Sequence, residues 1–310
     1  MSKIHVLHES REWFRPLGGA LNALGLPHEE WFLDGGMVDL GVAPPAGIFF
    51  NRLSASAHTR QHPFAVDQAR AILRWLEAHG RRVVNGVEAL ELAMSKAALI
   101  AALNAAGIAT PRSRAVAGFE GLVEAARGFP GPFLVKPNRS GKGIGIELFA
   151  DADELARRID QESPPASVDG IFLVQEYLPP RDPFITRVEF VGGKPLYALR
   201  SDTGQGFNLC PADYCNLDAG KAQRFSIERD FDHPILRLYQ SFLRGRGVEI
   251  AAIEFLVDRS GRPFTYDLNI NTNYNAQAEA AASVSGMRAI AEFLGRTLAA
   301  ESVAARASAA

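Results

Sequence analysis

The chain has 310 residues, of which 47% are hydrophobic and 22% charged, ordinary values for a soluble globular protein of about two domains. Its formal net charge of −2 does not favour nucleic acid or a membrane surface as a partner. The N-terminus has no apolar segment typical of a secretory signal, so we expect a cytoplasmic protein. The two cysteines, Cys210 and Cys215, have no second Cys/His pair at a matching spacing, and we predict reduced thiols rather than a zinc site.

The N-terminal part alternates short apolar strands with helices. Residues 65–79 carry apolar side chains at three- and four-residue spacing and are followed by a glycine, which predicts an amphipathic helix. Alternation of strand and helix favours parallel pairing with crossover helices, so we expect an open α/β layer here. The other elements predicted in this part are strands at 4–7, 47–50 and 83–84 and a short helix at 16–24.

The rest of the chain changes from α/β to a mostly antiparallel α+β pattern. Two pairs of apolar runs flank glycine-containing turns, 185–191 with 195–200 and 250–257 with 263–270, and both predict hairpins. The remaining predicted elements are helices at 87–106, 122–127, 151–160, 234–244 and 287–298, strands at 114–116, 133–136 and 144–149, and a disordered tail at 301–310.

A glycine loop follows the strand at 133–136. That strand ends at Lys136, and the loop after Ser140 has glycines at the alternate positions 141, 143 and 145. Glycines without side chains let backbone N–H groups approach phosphate oxygens, and a lysine at the strand end supplies a positive charge. No Gly-Lys-Ser/Thr opens a helix, so this is not a P-loop. Taken alone, the pattern also fits a plain turn.

Other segments supply groups that a nucleotide site needs. Lys96 lies on a predicted helix, and an apolar strand becomes polar at its end. Such a strand can offer backbone groups to an adenine edge, and Glu176 can accept a hydrogen bond from the adenine amino group or the ribose. A buried strand that ends at the surface is the alternative. The residues at this strand end are Gln175, Glu176, Tyr177 and Leu178.

Three oxygen-bearing side chains lie on the second predicted hairpin. Glu254 is a carboxylate inside an apolar strand, and an unpaired buried carboxylate is unfavourable. Asp267 and Asn269 are two residues apart on the partner strand and therefore share one face, onto which pairing can bring Glu254. Such a set suits Mg²⁺, whereas pairing of Glu254 with a lysine or arginine is the alternative.

Several arginines and asparagines are candidates for binding charged groups. Arg187 and Arg200 lie on the first predicted hairpin, where arginine is suited to stabilising charge on a transferring phosphoryl group, and Asn208 follows on a loop. Arg52 ends a buried strand and can bind a substrate carboxylate, with Arg60 in the polar loop beyond it. The histidines in that loop are predicted to be exposed to solvent rather than to bind a metal together.

The motifs over residues 45–290, taken in their order along the chain, resemble those of the ATP-grasp superfamily. They are most similar to those of RimK-type and glutathione-synthetase-like carboxylate–amine ligases. The resemblance implies an N-terminal α/β domain (1–92) and two lobes that clasp ATP (93–178 and 179–300). It also implies that Lys96, Lys136 and the glycine loop bind the ATP phosphates, that 176–178 line the adenine pocket, and that Glu254, Asp267 and Asn269 bind Mg²⁺ or Mn²⁺. Arg187, Arg200 and Asn208 would hold the transferring phosphoryl group.

The activity implied by the resemblance is ATP-dependent joining of a carboxylate to an amine through an acyl phosphate. Its partners would be a small carboxylate and an amine, such as an amino acid or peptide, and a homo-oligomer is compatible with the family. The chain departs from the family at Asp267, where glutamate is usual, and at 271–275, which lack the RimK-type Ser-Pro pattern. Asn271 and Asn273 would face the acceptor substrate, so glutamate is not carried over as that substrate. A small-molecule kinase and a non-catalytic ATP-binding regulator remain the alternatives.

Overall fold

The computed structural model describes residues 2–141, 143–161, 166–202 and 225–308. Within these ranges the chain forms three sheets surrounded by α-helices, which confirms the mixed α/β and α+β class. The sheets fall within residues 1–92, 93–178 and 179–300, although the domain boundaries themselves stay a prediction. None of the described helices combines the length and apolar character needed to cross a bilayer.

The first sheet is parallel, in the order β2-β1-β3-β4, and confirms the predicted open α/β layer. Helix α1 begins earlier than expected, because the Ser10 side chain accepts a hydrogen bond from the Trp13 N–H at 3.3 Å and so caps the helix. The elements of this unit are β1 (Lys3–His8), α1 (Arg11–Ala23), β2 (His28–Phe32), β3 (Gly47–Asn51), a 3₁₀ turn (Ala57–Arg60), α2 (Ala65–Ala78) and β4 (Arg82–Val84).

The helix predicted at 87–106 is in fact two helices, α3 (Val87–Met94) and α4 (Lys96–Ala105). Ser95 between them is extended, with φ −130° and ψ 107°, and its side chain accepts from the Ala98 N–H at 3.2 Å. A serine that caps the second helix therefore interrupts an otherwise continuous apolar pattern. The interruption places Lys96 in the first turn of α4.

The second sheet is antiparallel, in the order β5-β8-β6-β7. Strand β7 begins three residues later than predicted, because Gly143 and Gly145 have φ of 74° and 75° and form a turn. A β-carbon at Gly145 would lie 2.9 Å from Cγ of Pro137, so the close approach also requires glycine. The elements are β5 (Ser113–Ala117), α5 (Leu122–Ala126), β6 (Phe133–Pro137), β7 (Glu147–Phe149), α6 (Ala152–Gln161) and β8 (Ile171–Glu176).

The third sheet is antiparallel, in the order β11-β10-β9-β12-β13, and contains both predicted hairpins. Its strands are β9 (Phe184–Val191), β10 (Lys194–Asp202), β11 (Phe225–Glu228), β12 (Ile250–Val257) and β13 (Pro263–Asn269). The helices that follow or flank them are α7 (Ile235–Gly245), α8 (Ala276–Ala282) and α9 (Gly286–Ser308).

Helix α9, the last helix, packs against the N-terminal unit. It runs to Ser308, so the prediction of a disordered tail from residue 301 is wrong as far as the helix extends. Ile290 and Leu294 are fully buried in one cluster with Ile4 and Leu17 of the first unit. The apolar positions of the last helix are thus stabilised by packing on the N-terminal sheet and its helix α1.

Candidate functional site

A cavity of about 310 Å³ lies where the three sheets meet. Strand ends, the glycine loop and the segment after β13 all contribute to its wall. The sequence-predicted residues that line it are Lys96, Lys136, Ser140, Gly141, Gly143, Gln175, Glu176, Tyr177, Leu178, Arg187, Glu254, Asp267, Asn269, Asn271 and Asn273. The structure therefore brings most of the candidate residues together, while their roles stay predictions.

The two lysines are buried in the wall of this cavity. Lys96 Nζ donates to the carbonyl oxygen of Ser140 at 3.1 Å and lies 3.3 Å from Oδ1 of Asp267. Lys136 Nζ donates to Oε1 of Gln175 at 2.8 Å. Burial, and then the charge of Lys96, lower the pKa of Lys136 to about 7. Both ammonium groups have thus lost most of their contact with water through burial in the cavity wall. An anionic ligand in the cavity would interact favourably with their charge.

Asn138 is a buried residue of the site that sequence reasoning missed. Its Oδ1 accepts from Ser95 Oγ at 3.2 Å and from the Ala97 N–H at 2.9 Å, while its Nδ2 donates to Asp169 Oδ2 at 2.7 Å. The amide thereby joins the start of α4 to the end of β6 and fixes Lys96 relative to Lys136. An asparagine that directly follows the Lys-Pro strand end was the available signal.

The glycine loop is fixed at its start and forms part of the cavity wall. Ser140 Oγ donates to the carbonyl oxygen of Ile144 at 2.7 Å, which closes the loop on itself. A β-carbon at Gly141 would lie 3.4 Å from Cβ of Ser56, so the loop also contacts the first unit. Gly145 does not line the cavity and instead packs its backbone against Pro137.

The end of β8 forms another part of the wall. The Glu176 N–H donates to the Arg112 carbonyl oxygen at 2.9 Å, and Glu176 Oε1 accepts from the Arg112 N–H at 2.6 Å. The Tyr177 N–H donates to the Pro132 carbonyl oxygen at 2.9 Å. One carboxylate oxygen of Glu176 is therefore engaged by the protein's own backbone rather than left for a ligand.

The predicted metal ligands lie on one face of the second hairpin. Glu254 is directly opposite Asp267, and Asn269 Nδ2 donates to Asp267 Oδ2 at 3.4 Å. Between Glu254 and Phe255 the register shifts by one residue, which makes Tyr266 the extra residue of a bulge. If the register of the turn continued unchanged, Asp267 would face the hydrophobic core and Tyr266 would pair with Glu254. The bulge thus brings the two carboxylates together.

Arg187 joins two carboxylates beneath the cavity. Its Nε donates to Oε1 of Glu189 at 2.6 Å, and its NH1 donates to Oε1 of Glu254 at 2.8 Å. Burial would lower the pKa of Arg187, but the two carboxylates raise it above its usual value. Burial raises the pKa of Glu189 to about 7. Glu254 therefore pairs with an arginine, which was the alternative drawn from the sequence, and it also faces the cavity.

The carboxylate pair fits a hard divalent cation. Burial raises the pKa of Glu254, Arg187 opposes that shift, and the negative charge of Asp267 adds to it. A cation beside both carboxylates would offset this repulsion, and the Asn269 amide offers a neutral oxygen. In the described part of the chain, no cluster of three or more His, Cys, Asp or Glu side chains is arranged to hold a metal. Two carboxylates and an amide oxygen would suit Mg²⁺ that is also bound by phosphate and water.

Arg200 does not lie in the cavity, contrary to the sequence-based expectation. The register of the first hairpin shifts between Pro195 and Tyr197, so Arg187 pairs with Leu199. Without that shift Arg187 would pair with Ala198, and Arg200 would share its face. Instead Arg200 is exposed, donates to Glu228 Oε2 at 2.7 Å and lies over the Phe184 ring. Asn208, the third residue of that predicted group, lies outside the described residues.

Arg52 and Arg60 do not form part of the cavity wall. Arg52 is 1% exposed, and its NH2 donates to the Thr272 carbonyl oxygen and to Asn273 Oδ1, both at 2.9 Å. It therefore positions the segment after β13 instead of presenting its charge to a substrate. Arg60 pairs with the buried Glu9.

Among the described residues that line the cavity but were not predicted from the sequence, four have a polar or aromatic side chain. Trp13, Ser54 and Ser56 come from the first unit, and Tyr266 comes from the bulge in β13. Tyr266 shares a hydrogen bond with Glu254, and burial raises its pKa well above the usual value. No local pattern singles out these residues, because their place depends on how the first unit packs on the third sheet.

Known proteins with similar sequences are ligases. A D-alanine–D-alanine ligase of Methylococcus capsulatus is 27% identical over 255 residues, which cover 76% of this chain and 75% of that protein. A tetrahydromethanopterin:α-L-glutamate ligase of Methanosarcina acetivorans is 33% identical over 147 residues, and this alignment spans only 44% of each protein. No family model matches the chain.

Solved structures of other proteins are similar to this one over nearly the whole chain. A RimK domain ATP-grasp protein of Sphaerobacter thermophilus has a TM-score of 0.65 at 18% identity, covering 94% of this chain and 99% of that one. The ATP-grasp ligase PsnB, complexed with a minimal precursor, Mg and ADP, has a TM-score of 0.66 at 17% identity, covering 94% and 96%. The chain therefore has the ATP-grasp fold.

Proposed function

We propose that the chain is an ATP-dependent, ADP-forming carboxylate–amine ligase that makes an amide bond through an acyl phosphate. The observation that carries the proposal is the meeting, in one cavity, of Lys96 and Lys136 with the facing carboxylates of Glu254 and Asp267. Such a site can bind phosphates and a divalent cation side by side. The ligase relatives and the Mg and ADP bound by PsnB support the same assignment.

The proposed roles of the residues agree with their positions in the cavity. The glycine loop and the two lysines would bind ATP phosphates, and the backbone near Leu178 would contact the adenine. Glu254, Asp267 and Asn269 would hold Mg²⁺, which neutralises charge on the β- and γ-phosphates when bound. Arg187, held by Glu189, would face the phosphoryl group during transfer.

The reaction would proceed in two displacements. A carboxylate oxygen of the substrate attacks the γ-phosphorus, the bond from that phosphorus to the bridging oxygen breaks, and ADP leaves. The amine then attacks the acyl carbon, loses a proton and displaces inorganic phosphate. The protein contributes position and charge neutralisation at both steps, so no nucleophilic side chain is required.

A hydroxylamine assay tests this proposal. The protein is incubated with ATP, Mg²⁺, hydroxylamine and a panel of carboxylates, and ADP and hydroxamate are both measured. We expect equal amounts of both products with at least one carboxylate. Glu254→Gln should lower the rate by about 100-fold or more, since it removes charge from the metal site, whereas the exposed Lys194→Met serves as the control. The absence of ADP and hydroxamate with every carboxylate would refute ligase activity.

A further inference from the structure

One part of the cavity is not explained by ATP and metal binding. It is formed by Trp13, Ser54 and Ser56 of the first unit together with Asn271 and Asn273 after β13, and we name these five residues the acceptor pocket. Asn271 is two residues beyond the predicted metal ligand Asn269, so the pocket adjoins the place where the phosphoryl group would be transferred. A second substrate must reach that same place.

Trp13 is a rigid apolar wall of the acceptor pocket. Its side chain lies in helix α1 and is only 5% exposed. The guanidinium of Arg60 lies 4.0 Å from the centroid of the indole ring, and Arg60 is itself held by Glu9 and by Ser56 Oγ at 2.9 Å. Because Glu9 is fully buried and paired with Arg60, the arginine's charge is matched within the protein. The indole is thus fixed before any ligand arrives.

Asn271 supplies a polar contact in the same pocket. Its Oδ1 is buried and accepts no hydrogen bond from the described residues. The corresponding oxygen of Asn273, by contrast, accepts from Arg52 at 2.9 Å. A buried acceptor without a donor is unfavourable, so a ligand with an N–H group that faces Asn271 would be favoured. A carboxylate at the same place would be disfavoured, because its oxygens and Asn271 Oδ1 are all hydrogen-bond acceptors.

We propose that the acceptor pocket binds an amine with an apolar body, in which the body packs on Trp13 and the amine N–H donates to Asn271 Oδ1. This inference rests on the proposed ligase function and adds the class of its amine substrate. The hydrogen bond would hold the nitrogen next to the acyl phosphate formed at the metal site. An amine whose body carries a carboxylate is disfavoured, because it meets the indole wall and the Asn271 oxygen.

Calorimetric titration of the protein saturated with ADP and Mg²⁺ tests the inference. The two probes are 2-phenylethylamine and L-glutamate. We expect 2-phenylethylamine to bind at least about tenfold more tightly, because its ring can pack on the indole and its amine can donate. Trp13→Ala should weaken its binding about tenfold, while Trp13→Phe should keep it within about threefold. Asn271→Ala should weaken it about fivefold.

Trp75→Ala is the matched control, because Trp75 lies on helix α2 and does not line the cavity. Tighter binding of glutamate, or unchanged binding of 2-phenylethylamine in Asn271→Ala, would overturn the inference even if Trp13→Ala failed to fold. Binding of ADP and Mg²⁺ is measured first in the same protein. A failure at that stage contradicts the proposed ligase function, whereas normal ADP binding with no preference for the apolar amine contradicts only the inference about the acceptor pocket.

Discussion

Lys136 should make the stability of the protein depend on pH above neutrality. Burial and the nearby charge of Lys96 lower its pKa from 10.5 to about 7. Between these two values the unfolded chain binds more protons than the folded chain, so the free energy of unfolding rises with pH across that window. The lowered pKa reduces the free energy of unfolding by about 4 kcal/mol at pH 7 and by about 2 kcal/mol at pH 9.

Replacing Lys136 with methionine removes this cost and keeps most of the side-chain volume. We expect Lys136→Met to raise the free energy of unfolding at pH 7, and its advantage over the unmodified protein to shrink by about 2 kcal/mol at pH 9. Urea denaturation at the two pH values, followed by fluorescence and circular dichroism, measures the difference. Lys194→Met, at an exposed lysine, should show no such change. An advantage that is equal at both pH values would refute the reasoning.

Three further predictions concern Asn138, His8 and Arg200. Asn138→Ala should lower the free energy of unfolding by about 3 kcal/mol in urea denaturation, because it leaves buried partners unpaired, whereas the exposed Asn104→Ala should change it little. Burial, with the charge of Arg52, lowers the pKa of His8 to about 4. The protein should therefore lose about 3 kcal/mol of stability as pH falls from 6.5 to 4, and His8→Gln should reduce that loss in acid titrations. Arg200→Ala should change ADP release less than about threefold, whereas Arg187→Ala should lower it more than about 100-fold.

The sequence predicts the sheets and hairpins well, because their signals are local. Glycines at turns and alternating apolar residues define the hairpin of β9 and β10 and that of β12 and β13 without knowledge of the rest of the fold. The parallel sheet follows from alternation of strands and helices. The gathering of Lys96, Lys136 and the glycine loop could also be predicted, since the resemblance relies on their order.

What the sequence does not reveal is register. A shift between Pro195 and Tyr197 turns Arg200 away from the face of Arg187, and a shift after Glu254 turns Asp267 toward it. Each shift moves a side chain to the other face, because side chains alternate along a strand. Nothing in the composition of either strand marks these positions, so one arginine was misplaced although its strand was predicted correctly.

The break at Ser95 and the contribution of Trp13 were missed for a different reason. Apolar residues continue on both sides of Ser95, and only the capping hydrogen bond to Ala98 shows that a new helix begins there. Trp13 reaches the cavity because helix α9 packs on α1 and holds the first unit against the third sheet. Such long-range packing has no signature within a short window of sequence.

The ion pairs around Arg187 and Lys96 have a consequence for how the site would fill. Three basic side chains, Lys96, Lys136 and Arg187, stand among three acidic ones, Glu189, Glu254 and Asp267. Without ligand, Lys96 is paired with Asp267, and Arg187 is paired with Glu189 and Glu254. Loading would then be an exchange of partners, in which Lys96 leaves Asp267 for a phosphate and a cation takes its place. The metal offsets part of the negative charge of the nucleotide, so nucleotide that arrives with the metal would add less net charge to the interior than nucleotide alone.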